Sequence, residues 1–298
     1  MRTLLTLWFV VTFTFVVLRI SGEPVVALLG GDAQPAEIEQ FRAQWGLDQP
    51  LIVQYLRYVG QMAVGNFGTS LREHRPVLTI IMERVPATVD LGLVAYVMTI
   101  AVGIPSGVVA ALRRGRFTDR AIMAFAVAGF ALPNFFMGIL MILLFSLTWQ
   151  VLPSSGTGTI WHVIMPAVTL GTFTAGTLAR FTRSAMLEVL EKPYMRAAAA
   201  KGVPRWRRIL FHALPNAAIP IVTIIGLNLG QLIAGAIVVE TVFAWPGIGR
   251  LLVTAVSQRD LALVQGLVLV IGFTVVIANL LVDLSYGLLD PRIRGAAK

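Results

Sequence analysis

The sequence predicts an all-α membrane protein with six transmembrane helices and an extracytoplasmic helical subdomain between helices 1 and 2. Only 13% of the 298 residues are charged and 57% are hydrophobic, whereas a soluble domain has about 25% charged residues. The apolar residues fall in runs close to the roughly 20 residues that a helix needs to cross a bilayer. Lysine and arginine collect in the segments between alternate runs, which is the pattern of a multi-pass protein.

The first span is predicted over residues 3 to 18 and is bounded by Arg19. A cleaved signal peptide is the alternative interpretation. Because no small-residue cleavage site follows the apolar run, we expect residues 1 to 20 to remain as the first transmembrane helix.

Residues 21 to 86 are more polar and are predicted to form a periplasmic helical segment. Pro35 and Pro50 can each stand in the first turn of a helix. We expect these two helices to end near Gly46 and Val64. Their aromatic residues are either interfacial anchors or the small core of an external subdomain.

The five remaining spans are predicted within a core of residues 74 to 289, followed by a cytoplasmic tail of residues 290 to 298. The third of the six spans contains a proline near its middle, and a proline inside a span bends the helix and frees carbonyl groups. The predicted limits of the five spans are 87 to 112, 121 to 147, 166 to 180, 216 to 239 and 262 to 289.

The distribution of basic residues predicts the orientation. Residues 113 to 120 contain four arginines and residues 180 to 208 contain eight lysines and arginines, whereas residues 149 to 165 contain none. Short loops rich in lysine and arginine face the cytoplasm. Both termini and the loop of residues 186 to 214 are therefore predicted to be cytoplasmic. The net charge of +9 follows this alternation and does not predict a nucleic-acid-binding surface.

No catalytic or metal-binding constellation is apparent in the sequence. Cysteine is absent, and the three histidines are widely separated. An intramembrane enzyme would need a signature such as His-Glu-x-x-His, which is missing. We therefore expect no catalytic residues, no metal site and no bound cofactor in this chain.

Small and polar residues inside the spans predict helix contacts. Glycine pairs at four-residue spacing let helix backbones approach closely. Such pairs occur at Gly103/Gly107 and Gly226/Gly230. Ordinary helix packing is favoured for them over a motif specific to dimers. Amide side chains are costly in lipid and should face the bundle interior. They either form interhelical hydrogen bonds or line a transport pathway, and the candidates are Asn134, Asn228, Gln231 and Asn279.

The loop of residues 186 to 214 contains features that a merely solvated basic loop would not need. Residues 194 to 201 predict a short alanine-rich helix, Gly202 stands where a C-terminal cap would, and Pro204 opens a second helix. A narrow helix face with flanking basic residues fits a groove on a partner protein. The three- and four-residue spacing predicts such a face from Met195, Ala198, Ala199 and Gly202.

The spacing of Ala197-Ala198, Gly202 and Leu214-Pro215 resembles a family signature. The chain looks like the inner-membrane permease subunits of ATP-binding-cassette importers, in particular the dipeptide/oligopeptide and nickel branch. Their cytoplasmic signature is Glu-Ala-Ala, three residues, Gly, nine residues, Ile, one residue and Leu-Pro. Here Arg196 replaces the glutamate, which is usual for the peptide branch, and His212 replaces the isoleucine.

The resemblance covers about residues 10 to 294. The sequence Phe-Ala-Trp-Pro-Gly-Ile-Gly-Arg at residues 243 to 250 and the ending at residues 281 to 292 are similar to the same branch. The basic stretch that usually precedes the first span is reduced to Arg2, so we expect either a start further upstream or an unusual placement of the first span.

This resemblance implies a type I importer permease fold whose loop docks on an ATPase. The implied partners are two ATP-binding subunits, a second homologous permease subunit and a periplasmic solute-binding protein. Because the chain has no Gly-x-x-x-x-Gly-Lys-Ser/Thr phosphate loop, ATP is expected to bind to the partner subunits. The implied ATPase-coupling residues are Tyr194, Met195, Arg196, Ala197, Ala198, Ala199, Lys201, Gly202, Arg205, Leu214 and Pro215.

The function that the resemblance implies is import of di- or oligopeptides across the inner membrane. One alternative keeps the architecture and changes the cargo to nickel or another small solute. Another is an ATP-independent secondary transporter, which often has internal repeats with matching broken helices.

Overall fold

A computed structural model describes the backbone of residues 2–20, 39, 48–70 and 72–289. Among these residues the regular structure is helical, apart from an isolated antiparallel bridge between Thr69 and Pro76. The principal helices are α1 Arg2–Ile20, α2 Leu51–Ala63, α3 Val77–Leu112, α4 Phe117–Ala131, α5 Asn134–Met141, α6 Ile160–Leu190, α7 Pro193–Ala200, α8 Leu214–Val242, α9 Ile248–Ser257 and α10 Leu261–Leu289.

Within the described residues, four helical segments are long and apolar enough to cross a membrane, and the bent pair α4–α5 gives a fifth if it counts as one span. The four are formed by α3, α6, α8 with the turns before it, and α10. The apolar part of α1, Leu5–Val16, is shorter than these four segments. The predicted all-helical membrane fold is confirmed, whereas the count of six spans stays a prediction.

Two helices begin earlier than predicted. Helix α3 starts at Val77 and continues without interruption to Leu112, directly after Pro76. Helix α6 starts at Ile160 and contains Pro166 in its interior. The predicted start at Pro166 rests on the preference of proline for the first turn of a helix. Proline is also tolerated inside a span where neighbouring groups satisfy the freed carbonyl. Pro166 lies in the interior of α6 and does not start it.

The predicted third span is broken at Pro133. Helix α4 ends at Ala131, α5 begins at Asn134, and the helix directions on either side differ by 106°. Proline lacks an N–H and disfavours helical backbone at the residue before it. The bend that the sequence predicted is thus a complete interruption of the helix. After α5, residues 142–148 continue as a π-helix.

The fold comprises two compact units, of which the first contains Met1–Ala87 and Gly247–Val276. Its core packs the first turns of α3 against α9 and α10. Asp260 organises the connection before α10, because its carboxylate accepts hydrogen bonds from the Leu263 N–H at 3.1 Å and from the Ser70 hydroxyl at 2.5 Å.

Helix α2 confirms the predicted helix that follows Pro50. Its aromatic residues form a small core with α1, since Phe15 lies 5.4 Å from the Tyr55 ring and 5.5 Å from the Tyr58 ring. Burial raises the pKa of the Tyr58 hydroxyl. The other helix predicted in this segment, from Pro35 to Gly46, lies outside the described residues except for one position.

The second unit contains Thr88–Pro246 and Ile277–Lys298. Here α3 and α6 approach closely at Gly107, where a Cβ would lie 2.5 Å from the Ala179 carbonyl oxygen and 2.6 Å from the Thr182 Cβ. Gly103 faces Leu178 in the same way. The Gly103/Gly107 pair therefore serves packing within the chain, as predicted.

Candidate functional site

The short helix α7 ends in a glycine cap. Gly202 has a φ of +75°, its N–H donates to the Ala199 carbonyl at 3.0 Å, and the Val203 N–H donates to the Ala198 carbonyl at 3.1 Å. These two bonds form the Schellman pattern that satisfies carbonyls at the end of a helix. The predicted cap at Gly202 is confirmed.

Met195 attaches α7 to the rest of the protein. It is buried in a cluster with Met186 and Val189 of α6 and with Ala213, which precedes α8, and Ala198 on the same side is half-buried. The face predicted to be bare therefore turns inward at these two positions. The unbranched apolar side chain of Met195 fills the space between the helices, and burial removes it from the accessible surface.

The exposed side of α7 combines alanine methyl groups with basic side chains. Ala197 and Ala200 are exposed between these charges. A surface of this kind offers close approach at the alanines and electrostatic orientation at its edges. The predicted coupling residues that are also exposed are Tyr194, Arg196, Ala199, Lys201, Gly202, Arg205 and Pro215.

Trp206 is an exposed aromatic residue that was not predicted from the sequence as part of this site. More than half of its surface is accessible, the Arg207 guanidinium lies 5.1 Å from its ring, and the Phe211 ring packs on it at 6.1 Å. Tryptophan and arginine are enriched at protein interfaces. The available signal was a tryptophan placed between two arginines at the start of a helix.

A π-helical segment joins the basic loop to α8. One turn, Arg205–Arg207, leads into π-helix Arg208–Ala213, in which the Leu214 N–H donates to the Ile209 carbonyl. Pro215 lacks an N–H and its ring would clash with the carbonyl four residues earlier in an α-helix. The wider π-turn accommodates the proline, and Leu214 packs against the cluster that holds α7.

A partly buried ion pair joins the end of α6 to the start of α4. Asp119 is 4% exposed and accepts two hydrogen bonds from Arg183, at 2.6 and 2.9 Å, and a third from the Gly115 N–H at 2.8 Å. An exposed pair, Arg114–Glu191 at 2.5 Å, lies nearby. The sequence predicts Arg183 only as one of the positive charges of the cytoplasmic loop. The missed signal was a single acid inside an arginine-rich loop.

The break between α4 and α5 lies at a cleft of about 420 Å³. Two of the four predicted pathway residues, Asn134 and Gln231, line this cleft. Its aromatic lining comes from Phe130, Phe135 and Phe173. The arrangement is an apolar cleft with a small number of amide groups, as is usual for sites that take small organic molecules.

The other two predicted pathway residues lie elsewhere. Asn228 is buried and its amide donates a long hydrogen bond, 3.5 Å, to the carbonyl of Thr174 in α6. Asn279 is exposed on α10, and its side-chain oxygen lies 3.7 Å from the Cβ position of Gly230. Asn228 therefore fits the alternative role of interhelical hydrogen bonding.

Family models and individual relatives match the chain along its length. Residues 103–295 match the model of the binding-protein-dependent transport system inner membrane component, and residues 1–92 match the model of its N-terminal part. The dipeptide transport system permease protein DppB of Escherichia coli K12 is 41% identical over 95% of this chain and 93% of its own length. The di/tripeptide transport system permease protein DppB of Pseudomonas aeruginosa is 40% identical over 97% and 95%.

A solved structure supports the fold. The inward-facing MetNI methionine ABC transporter has a chain that superposes with a TM-score of 0.58 at 20% identity, covering 72% of this chain and 97% of the other. The apolar helices and these matches agree with a multi-pass inner-membrane protein. The chain belongs to the family of binding-protein-dependent transport system inner membrane components.

Proposed function

We propose that this chain is the permease subunit of an ATP-driven peptide importer and that α7 is its contact with an ATP-binding subunit. The observation that carries the proposal is the form of α7: a capped helix with an exposed alanine and arginine side, held to the core by buried Met195. Peptide cargo is supported by the names of relatives that are 40–41% identical over nearly their full length.

The assembly that we propose follows the family. Two ATP-binding subunits bind and hydrolyse ATP, a second homologous permease completes the membrane part, and a periplasmic solute-binding protein delivers cargo. The basic loop and both termini face the cytoplasm, as the lysine and arginine distribution predicts. The exposed coupling candidates then face the compartment that contains ATP.

The packing provides a route by which movement of α7 reaches the cleft. Met195 contacts a cluster built from α6 and the start of α8, and both helices line the cleft, through Thr174 in α6 and Gln231 in α8. Protein interiors are close-packed and transmit displacement. A displacement of α7 by ATPase closure would therefore move two walls of the cleft.

The lining of the cleft favours an organic solute over a nickel ion. Its described polar side chains are amides and a threonine, whereas nickel and related metals bind best to imidazole or thiolate groups. Grouped acidic, histidine or cysteine residues able to hold a metal were not found among the described residues.

The contact with the ATPase is tested by changing the exposed side of α7. Ala197→Glu adds bulk and a negative charge, and we expect the complex to lose the ATP-binding subunit on purification and to lose ATP-dependent uptake. Ala197→Ser keeps the side narrow and uncharged and is the matched control. If the Ala197→Glu complex purifies intact and transports at the wild-type rate, α7 does not dock on the ATPase.

The cargo is tested with the complete complex in proteoliposomes. Labelled dipeptides are expected to accumulate only with ATP and the solute-binding protein present. Accumulation of nickel but not of peptides would show that nickel is the transported solute. Accumulation of peptides without ATP would favour a secondary transporter.

A further inference from the structure

The interruption at Pro133 lies in the wall of the cleft, which includes residues 130–135. Pro133 has no N–H to give to the Gly129 carbonyl, and the 106° bend takes the next N–H groups away from the end of α4. Helix α5 starts at Asn134, and the first N–H groups of any helix lack intrahelical acceptors. Irregular backbone at membrane depth is tolerated where it is buried in protein or lines a water-filled cavity.

The side chains of the cleft complement a peptide bond. Asn134 and Gln231 each offer an amide N–H and an amide oxygen, which are the groups that the main chain of a bound peptide would pair with. The Phe130 and Phe173 rings stack at 5.2 Å and form an apolar wall. Because this lining carries no charge, it can accept varied peptide side chains. A volume of about 420 Å³ lies within the range of small-ligand sites.

A cation, Arg180, contacts one residue of this wall without itself being part of the cleft lining. The guanidinium carbon of Arg180 is 5.9 Å from the centroid of the Phe130 ring. Arg183 and Arg114 nearby have carboxylate partners, whereas Arg180 has none among the described residues and is exposed. A guanidinium matches a carboxylate through two parallel hydrogen bonds, so an unpaired arginine at this position suits the anionic end of a peptide.

We propose that the cleft between α4, α6 and α8 holds a peptide by its main chain, with Asn134 and Gln231 pairing its amide groups and Arg180 receiving its C-terminal carboxylate. The proposal rests on the proposed function, because it names how this permease recognises the cargo. It explains recognition without dependence on peptide side chains, since each contact is to a group that every peptide has.

Photo-crosslinking locates the bound peptide. A dipeptide with a diazirine side chain is supplied to the complete complex in proteoliposomes, with solute-binding protein and ATP, and illuminated during uptake. We expect labelled positions in residues 130–135 and 231–238, with labelling suppressed by excess unmodified dipeptide. Labelling confined to other parts of the permease during active uptake would overturn the assignment of this cleft.

Substitutions of exposed residues test the individual contacts without disturbing the core. Loss of one partly exposed hydrogen bond, from the Arg180 guanidinium or from the neutral Gln231 amide, should reduce uptake about fivefold. We therefore expect that reduction for Arg180→Gln and Gln231→Met and a smaller one for Arg180→Lys. The matched controls are Arg120→Gln, an exposed arginine in α4, and Leu227→Met, an exposed position of α8 outside the cleft. We expect the controls to stay within about twofold of the wild type.

The outcomes separate the two proposals. If wild-type complex takes up no peptide, the proposed function fails. If wild-type uptake is normal and Arg180→Gln behaves as Arg120→Gln does, only the recognition proposal fails. Comparison of vesicles made with anionic and with neutral lipid provides a further arm, because an Arg180→Gln defect that disappears in neutral lipid would assign Arg180 to lipid headgroups and overturn its role with the peptide.

Discussion

Replacing Gly202 should weaken α7 by an amount set by backbone conformation alone. The residue has a φ of +75° and a Cβ there would meet no atom within 4 Å. Left-handed backbone costs a residue with a side chain about 1–2 kcal/mol. Asparagine tolerates it better than most and β-branched residues tolerate it worst. We expect Gly202→Asn to cost least, Gly202→Ala about 1 kcal/mol and Gly202→Val about 2 kcal/mol.

These free-energy costs should increase the fraction of molecules in which the cap of α7 is open. About 1 kcal/mol raises the population of the uncapped state roughly fivefold, and about 2 kcal/mol raises it roughly thirtyfold. Hydrogen–deuterium exchange of purified protein reports this at the Val203 amide, which donates to the Ala198 carbonyl. The expected order of exchange rates is wild type, then Asn, Ala and Val.

ATP-dependent uptake should decline in the same order if α7 transmits force, because a frayed helix presents its exposed side less often. Equal exchange in the Asn and Val variants would contradict the conformational argument. Wild-type exchange in all three variants would show that the cap does not hold α7.

Two further predictions concern the packing that supports the loop. Asp119→Asn removes the charged partner of the partly buried Arg183 and should lower the free energy of unfolding by about 2 kcal/mol, measured as a reduced Tm in detergent. Glu191→Gln, in an exposed pair, should cost less than about 1 kcal/mol. Equal effects of the two substitutions would refute the distinction. Gly176→Leu should abolish stable folding, because a Cβ there would lie 2.6 Å from a backbone carbonyl oxygen. Gly60→Ala, where no atom lies within 4 Å, is the control, and recovery of both proteins at equal yield by size-exclusion chromatography would contradict the prediction.

Features that depend on neighbours along the chain could be read from the sequence. Apolar length predicted the spanning helices, Pro50 predicted the start of α2, and Gly202 predicted the end of α7. Each follows from local chemistry: the solvation of apolar side chains, the fixed φ of proline, and the freedom of glycine to adopt positive φ. The limits of α3 and α6 were less predictable, because tertiary packing decides whether a helix extends beyond a proline.

The sequence could not predict whether a given face of a helix points toward the protein or toward solvent; the tertiary structure was needed for this. Helical spacing placed Met195 and Ala198 on one side of α7, yet periodicity identifies only which residues share a side. Whether that side meets solvent or protein depends on the volume available next to it, and here α6 and the start of α8 leave room for a methionine.

A membrane bundle with a basic, alanine-rich loop could be predicted from the amino-acid sequence, because hydrophobicity, charge and helix capping act over a few residues. Which distant polar groups meet could not be predicted in this way and depends on the tertiary structure. It joined Asp119 to Arg183, and it placed Asn134 beside Gln231 at a proline break while leaving Asn228 and Asn279 outside that cleft. The reason is physical: these pairings depend on how the helices cross, and crossing is set by side-chain packing over the whole bundle.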